Sequence, residues 1–132
     1  MQKMNSFFQN RILLIIATIL LSCSDIDQIT LESPISDTQF TFLQDQNTVY
    51  FSAIIEEQYQ GNKLDSTFVR WYGPSLSGPY DFVLLNDRGL NGDIIEGDNI
   101  FSRKILNTSF NRNQIMDSDT GFLYIDYTAV YE

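Results

Sequence analysis

Between Asn86 and Ser102 the chain reads NDRGLNGDIIEGDNIFS. Asp87, Asp93 and Asp98 bring carboxylates, and Asn91 a side-chain amide oxygen. A set made only of oxygen donors suits a hard cation, calcium above all. Counted from Asp87 as position one, these oxygens fall at one, five, seven and twelve, and Gly92 stands at six. A twelve-residue calcium loop has that spacing, with glycine at six to permit its sharp turn. Asp87 and Asp93 would repel each other if brought together, and a cation would offset the repulsion. Two positions depart from the pattern: Gly89, at three, offers no side-chain oxygen, and Asp98, at twelve, is shorter than the glutamate that binds through both oxygens. The same residues also support a metal-free reading. Asp and Asn side chains accept hydrogen bonds from nearby main-chain N–H groups, and glycine supplies positive φ. Asp87, Asp93 and Asp98 can then pin a long crossing between strands unaided. Both readings stand on the sequence.

The second reactive residue is Cys23, the only cysteine in the chain. Ahead of it lie two bases, Lys3 and Arg11, no acid, and the run Ile12-Leu-Leu-Ile-Ile-Ala-Thr-Ile-Leu-Leu21. A charged start followed by a short apolar stretch is the pattern of a secretory signal, and the run is too short to span a bilayer. Leu20-Leu21-Ser22-Cys23 resembles the bacterial lipobox, with an apolar residue at −3, a small one at −1 and then the cysteine. The resemblance implies cleavage before Cys23, diacylglycerol on its thiol and an acyl chain on the new amine. Two or three buried chains anchor a protein firmly, so membrane attachment without a span is expected. A free thiol in an ordinary signal peptide is the alternative, and an unpaired cysteine suits an exported protein poorly. The acids of Ser24-Asp25-Ile26-Asp27 resemble the surface-export signal of lipoproteins in Bacteroidota-type bacteria; a plain solvated tether reads the same way. The expected location is the cell envelope, at the outer membrane.

Other chemistry has little to stand on. There is no histidine, and the one cysteine belongs to the lipobox, which excludes zinc sites and Cys or His nucleophiles. Glu56 and Glu57 are adjacent on a strand and point to opposite faces. Asp117 and Asp119 fall in a polar stretch where solvation is the simpler account. A catalytic role is not expected. From Cys23 onward 17 acids meet 6 bases, a net of −11, so nucleic acid and anionic lipid are repelled.

The elements that position these groups read as strands. The residues fall into a signal helix over 1–22, the lipidated Cys23 and a flexible tether over 23–38, and one domain over 39–132. Part of the tether can lie along the domain as a first edge strand. In TVYFSAIIEE, Val49, Phe51, Ala53 and Ile55 share one face at a period of two, while Tyr50, Ser52 and Glu56 share the other. STFVRWYG sets Val69 and Trp71 against Phe68 and Arg70. YDFVLL leads into the acidic loop and NIFSRKIL leads out of it. GFLYIDYTAVYE alternates to Glu132. Residues 107–119 read as a loop with one helical turn. Five or six such strands with no helical period predict a β-sandwich with one core, filled mainly by Phe and Tyr. Trp71, Tyr72, Tyr80, Tyr124 and Tyr127 are candidates for a sugar-stacking face, or for core and cross-strand pairs.

Asp87, Gly89, Gly92, Asp93, Gly97, Asp98, Phe101 and Ser102 fit the pattern D-x-G-x-x-G-D-x-x-x-G-D-x-x-F-S. This resembles Ig-like domains of bacterial exported proteins, of the kind found beside choice-of-anchor modules. Arg88 stands where that family has a second Asp, and Asn99 where it has Gly. The likeness extends over roughly residues 47 to 132 and implies an immunoglobulin-like or fibronectin-III-like sandwich. The likeness to an EF-hand is confined to the loop, since strands flank it. The function expected is that of a membrane-anchored lipoprotein with an Ig-like binding or structural module, stiffened by Ca2+ in the first of the two loop readings. The alternative is a glycan-binding accessory lipoprotein of a polysaccharide uptake system. The partners expected are the membrane through the anchor and a protein or glycan, with no nucleic acid.

Overall fold

The computed structural model describes residues 32–110 and 112–132. Cys23, the signal segment and most of the tether lie outside the described residues. Among the described residues no helix is long and apolar enough to cross a membrane.

Among the described residues, seven strands form two antiparallel sheets: β1 (Ile35–Leu43), β2 (Thr48–Ile55), β3 (Gln58–Tyr59), β4 (Asn62–Gly73), β5 (Asp81–Leu84), β6 (Ile100–Leu106) and β7 (Tyr124–Tyr131). One sheet has the order β1-β2-β6. In the other, β4 is flanked by β5 and β7, and β3 folds back on its start. The expected all-β sandwich is the fold observed.

Each sheet carries its apolar residues at a period of two, and the two apolar faces close on each other. Val49 and Phe51 of β2, Val69 and Trp71 of β4 and Val83 of β5 meet Leu85 and Phe110 in the core. Trp71 is its centre. It stacks on Phe40 at 5.3 Å, meets Phe51 edge-on at 5.5 Å and lies 5.6 Å from Phe110. Its indole Nε1 donates to the main-chain oxygen of Asn113 at 2.7 Å, so the ring is buried with its polar atom satisfied.

Two segments read as irregular are built into the fold. β1 starts at Ile35, inside the stretch read as tether, and serves as the first edge strand. A register shift lies between Ser36 and Gln39, and Asp37 there has φ +44. That bulge changes the parity of the strand, so that Phe40 and Phe42 pack against the core. Residues 107–119 hold one turn of 3-10 helix, Asn107–Ser109, and are tied down by buried asparagines. Asn107 donates to Asn47 Oδ1 and to the Ile115 carbonyl, and accepts from the Ile115 N–H. Asn113 donates to the carbonyls of Trp71 and Pro79 and to Asp81. Asn113 also explains Gly73, whose φ is +64; a Cβ there would come within 2.8 Å of the Asn113 carbonyl oxygen.

Candidate functional site

Asn86 leaves β5 paired to β6: its N–H donates to Ser102 O at 3.1 Å and its carbonyl accepts from Ser102 N at 2.8 Å. The Asn86 side chain bonds Leu90 O and Ser102 O as well. Further along, Asn91 takes φ +57 and its carbonyl accepts from Lys104 N at 2.6 Å. The loop therefore runs along the outer edge of β6 and satisfies main-chain groups there. Gly92, at φ +111, makes the approach possible. A Cβ at this position would lie 2.6 Å from both Lys104 Cβ and Lys104 N.

Three carboxylates converge in this loop. One oxygen each of Asp87, Asp93 and Asp98 lies within 4.8 Å of the others. Asp93 is buried, and Asp87 and Asp98 are half-buried. This cluster can hold a metal ion. Every member also holds backbone. Asp87 Oδ1 accepts from Gly97 N at 2.8 Å and Asp98 N at 3.3 Å, and its Oδ2 accepts from Asn99 N at 2.9 Å. Asp93 Oδ2 accepts from Gly89 N at 2.5 Å, and Asp98 Oδ1 from Ile100 N at 3.0 Å. Asp87 thus reaches ten to twelve residues ahead and closes the loop on itself. Hydrogen bonds to an ionised acceptor are the strong ones, so this network ties the crossing together. Asn91 differs from the three acids: its main chain, through the bond from Lys104 N, ties the loop to β6.

The aromatic candidates divide by strand parity. Trp71 is fully buried, and Tyr127 packs against the core with its hydroxyl donating to the Gln39 carbonyl. Burial raises the Tyr127 phenol above its ordinary value. Tyr72, Tyr80 and Tyr124 lie on the outer side of the β5-β4-β7 sheet. Tyr72 and Tyr80 meet at 5.6 Å, and Phe68 and Phe82 beside them at 4.5 Å. Phe82 is 58% exposed and Tyr80 47%. Arg70 lies between these pairs, its guanidinium 5.9 Å from the Tyr80 ring centre and paired with Asp126. Phe68, on the face opposite Val69 and Trp71, and Phe82, beyond the aromatic residues singled out by sequence, join this surface because both fall on the outward parity of their strands.

Two other places were candidates for chemistry. Asp119 accepts from Met116 N at 2.7 Å and caps a local turn. A cleft of about 600 Å³ opens between the acidic loop and β4, lined by Glu57, Lys63, Asp65, Arg88, Glu96 and Arg103 among others. Its charges are of mixed sign, so it selects neither anion nor cation. No family model, curated protein or solved structure matches this chain.

Proposed function

We propose that this chain is an exported lipoprotein, anchored through Cys23, whose immunoglobulin-like sandwich is a non-catalytic binding or structural module in the outer membrane. The observation that carries the reading is the apolar run ending in Leu20-Leu21-Ser22-Cys23, followed by a single small sandwich. Labelled palmitate fed to cells expressing the full chain should appear on the protein, and Cys23→Ser should abolish it. Absence of label from the parent chain sinks the anchor.

Calcium is the ion proposed for the loop, because its donors are all oxygens and their array is irregular. Asp87, Asp93 and Asp98 would supply carboxylate oxygens and Asn91 an amide oxygen. The test is the melting temperature of the full chain in detergent, with EDTA and with millimolar calcium. Specific binding raises it by mass action, and Asp93→Ala should remove the rise. An unchanged value in the parent chain leaves the loop a metal-free turn.

A second reading rests on the exposed rings of Tyr80 and Phe82 beside Tyr72 and Phe68. Aromatic faces stack on sugar rings, so this outer face is the place for a glycan. Affinity electrophoresis through gels containing neutral and acidic polysaccharides tests it. Retardation by one polysaccharide that Phe82→Ala abolishes supports the glycan reading, and unchanged mobility in all of them removes it.

A further inference from the structure

The sandwich has four lateral edges, and three are protected against pairing. β6 is covered by the acidic loop, through Asn86 and Asn91. β1 is broken by its bulge at Asp37. β5 is only four residues long. The fourth edge, β7, is eight residues long, with no proline, lysine or register break of its own. Devices of these kinds are how proteins keep sheet edges from pairing, and among the described residues none of them protects β7.

The ladder tells which groups are free. Lys63 and Glu132 exchange both main-chain bonds at 2.9 Å. The two register shifts of this ladder leave their extra residues, Asp65 and Tyr72, on β4, so alternation along β7 is unbroken and turns its even residues toward β4 and the odd ones outward. Among the described residues, the N–H and C=O groups of Ile125, Tyr127, Ala129 and Tyr131 have no main-chain partner. The side chains of the same residues lean toward the core but are only half-buried, unlike Val69 and Trp71 opposite them. Main-chain groups free at every second residue, beside half-covered apolar side chains, call for another strand.

We infer that the strand is β7 of a second copy, laid antiparallel across a two-fold axis at Thr128, so that two β5-β4-β7 sheets join into one. In this register Ile125 faces Tyr131 and Tyr127 faces Ala129, so all four free residues on each copy are paired. The inward pairs are aromatic with β-branched and large with small, which are favourable combinations. On the outer face Thr128 meets Thr128, Asp126 meets Val130, and Tyr124 meets Glu132. No like charges oppose each other, although each copy carries a net −11 from Cys23 onward. The one charge within β7, Asp126, is already paired with Arg70. A two-fold contact of this kind needs a self-complementary surface, and β7 supplies one.

Thr128 points its main chain at β4 and so forms a non-hydrogen-bonded pair with its own copy. Such pairs have Cα atoms about 4.5 Å apart, within the range a disulfide bridges. Thr128→Cys in the full chain, in detergent under mild oxidation, should form a disulfide-linked dimer. It should form about tenfold faster or more than Ser77→Cys, an exposed loop control, because paired thiols see a raised effective concentration. The parent chain, with Cys23 alone, sets the background. Asp126→Cys, which faces Val130, should stay at the control rate. Sedimentation of the parent chain should give the mass of two copies, and Thr128→Lys, which sets like charges face to face, should give the mass of one. Linkage of Thr128→Cys no faster than Ser77→Cys, together with a single-copy mass for the parent, overturns the proposal and leaves the edge to a strand of another polypeptide. Faster linkage through Asp126→Cys overturns the register.

Discussion

The outer edges of β6 and β7 are built from similar strands and finished in opposite ways. β6, seven residues, is sealed by a loop that spends three carboxylates and a positive-φ glycine on holding itself in place. β7, eight residues, has no main-chain partner for every second residue among the described residues. The difference teaches that the acid-and-glycine pattern has a structural task, the closure of the β6 edge. A strand edge can be closed from within the chain, at the cost of a long constrained loop, or left open to a partner.

The strongest way to break this contrast is to lift the loop off β6. Gly92→Val adds a side chain where Lys104 already stands and forces a β-branched residue to positive φ. Strain and overpacking of this kind cost about 3 kcal/mol or more together, and the melting temperature should fall by more than about 10 °C. Gly97→Val, also at positive φ but with open space around its Cβ position, should cost less; an equal loss would mean that contact with Lys104 is irrelevant.

Asp87→Ala comes next. It removes an acceptor shared by three N–H groups and should cost about 2 kcal/mol, with faster amide exchange at Gly97, Asp98 and Asn99 and also along β6. Unchanged exchange along β6 would separate the loop's closure from the protection of the edge.

On the bare side the effects are smaller. Tyr127→Phe deletes the bond to Gln39 O and should cost about 1 kcal/mol. It also carries a pH signature. Burial raises the folded-state pKa of this phenol, so above pH of about 10 the unfolded chain loses its proton first and the folded state holds more protons. Stability of the parent chain should therefore fall as pH rises through that range, and Tyr127→Phe should flatten the fall. Equal slopes would show that the phenol is not held protonated.

Smallest of all is the effect of Thr128→Lys on folding in dilute solution. It touches only the edge's outer face and should shift stability by no more than about 0.5 kcal/mol, measured by urea denaturation. A large loss would mean that β7 is not a free edge.

Much of this architecture is legible in the residues themselves. β2 shows plainly because Val49, Phe51, Ala53 and Ile55 are all apolar and all inward. β1 is hidden because its bulge moves the inward parity from Ile35 to Phe40, and a period of two cannot survive an extra residue. Residues 107–119 read as loop by composition, correctly, yet Asn107 and Asn113 anchor them to partners 30 to 60 residues away, which no local pattern displays. The convergence of Asp87, Asp93 and Asp98 follows from their spacing. That each carboxylate is already engaged by main-chain N–H groups does not, since it depends on the path of the loop. Trp71 and Tyr72 are neighbours in the chain and cannot share a face, so the aromatic group divides as strand geometry requires.

Trp71 is the chain's only indole, and it sits against Phe40, Phe51 and Phe110 with its N–H bonded to the 107–119 segment. Its intrinsic emission is therefore an unlabelled, single-site reporter of the whole interior. Light from this one ring should move to longer wavelength when either sheet lets go, or when the Asn113 anchor is pulled away.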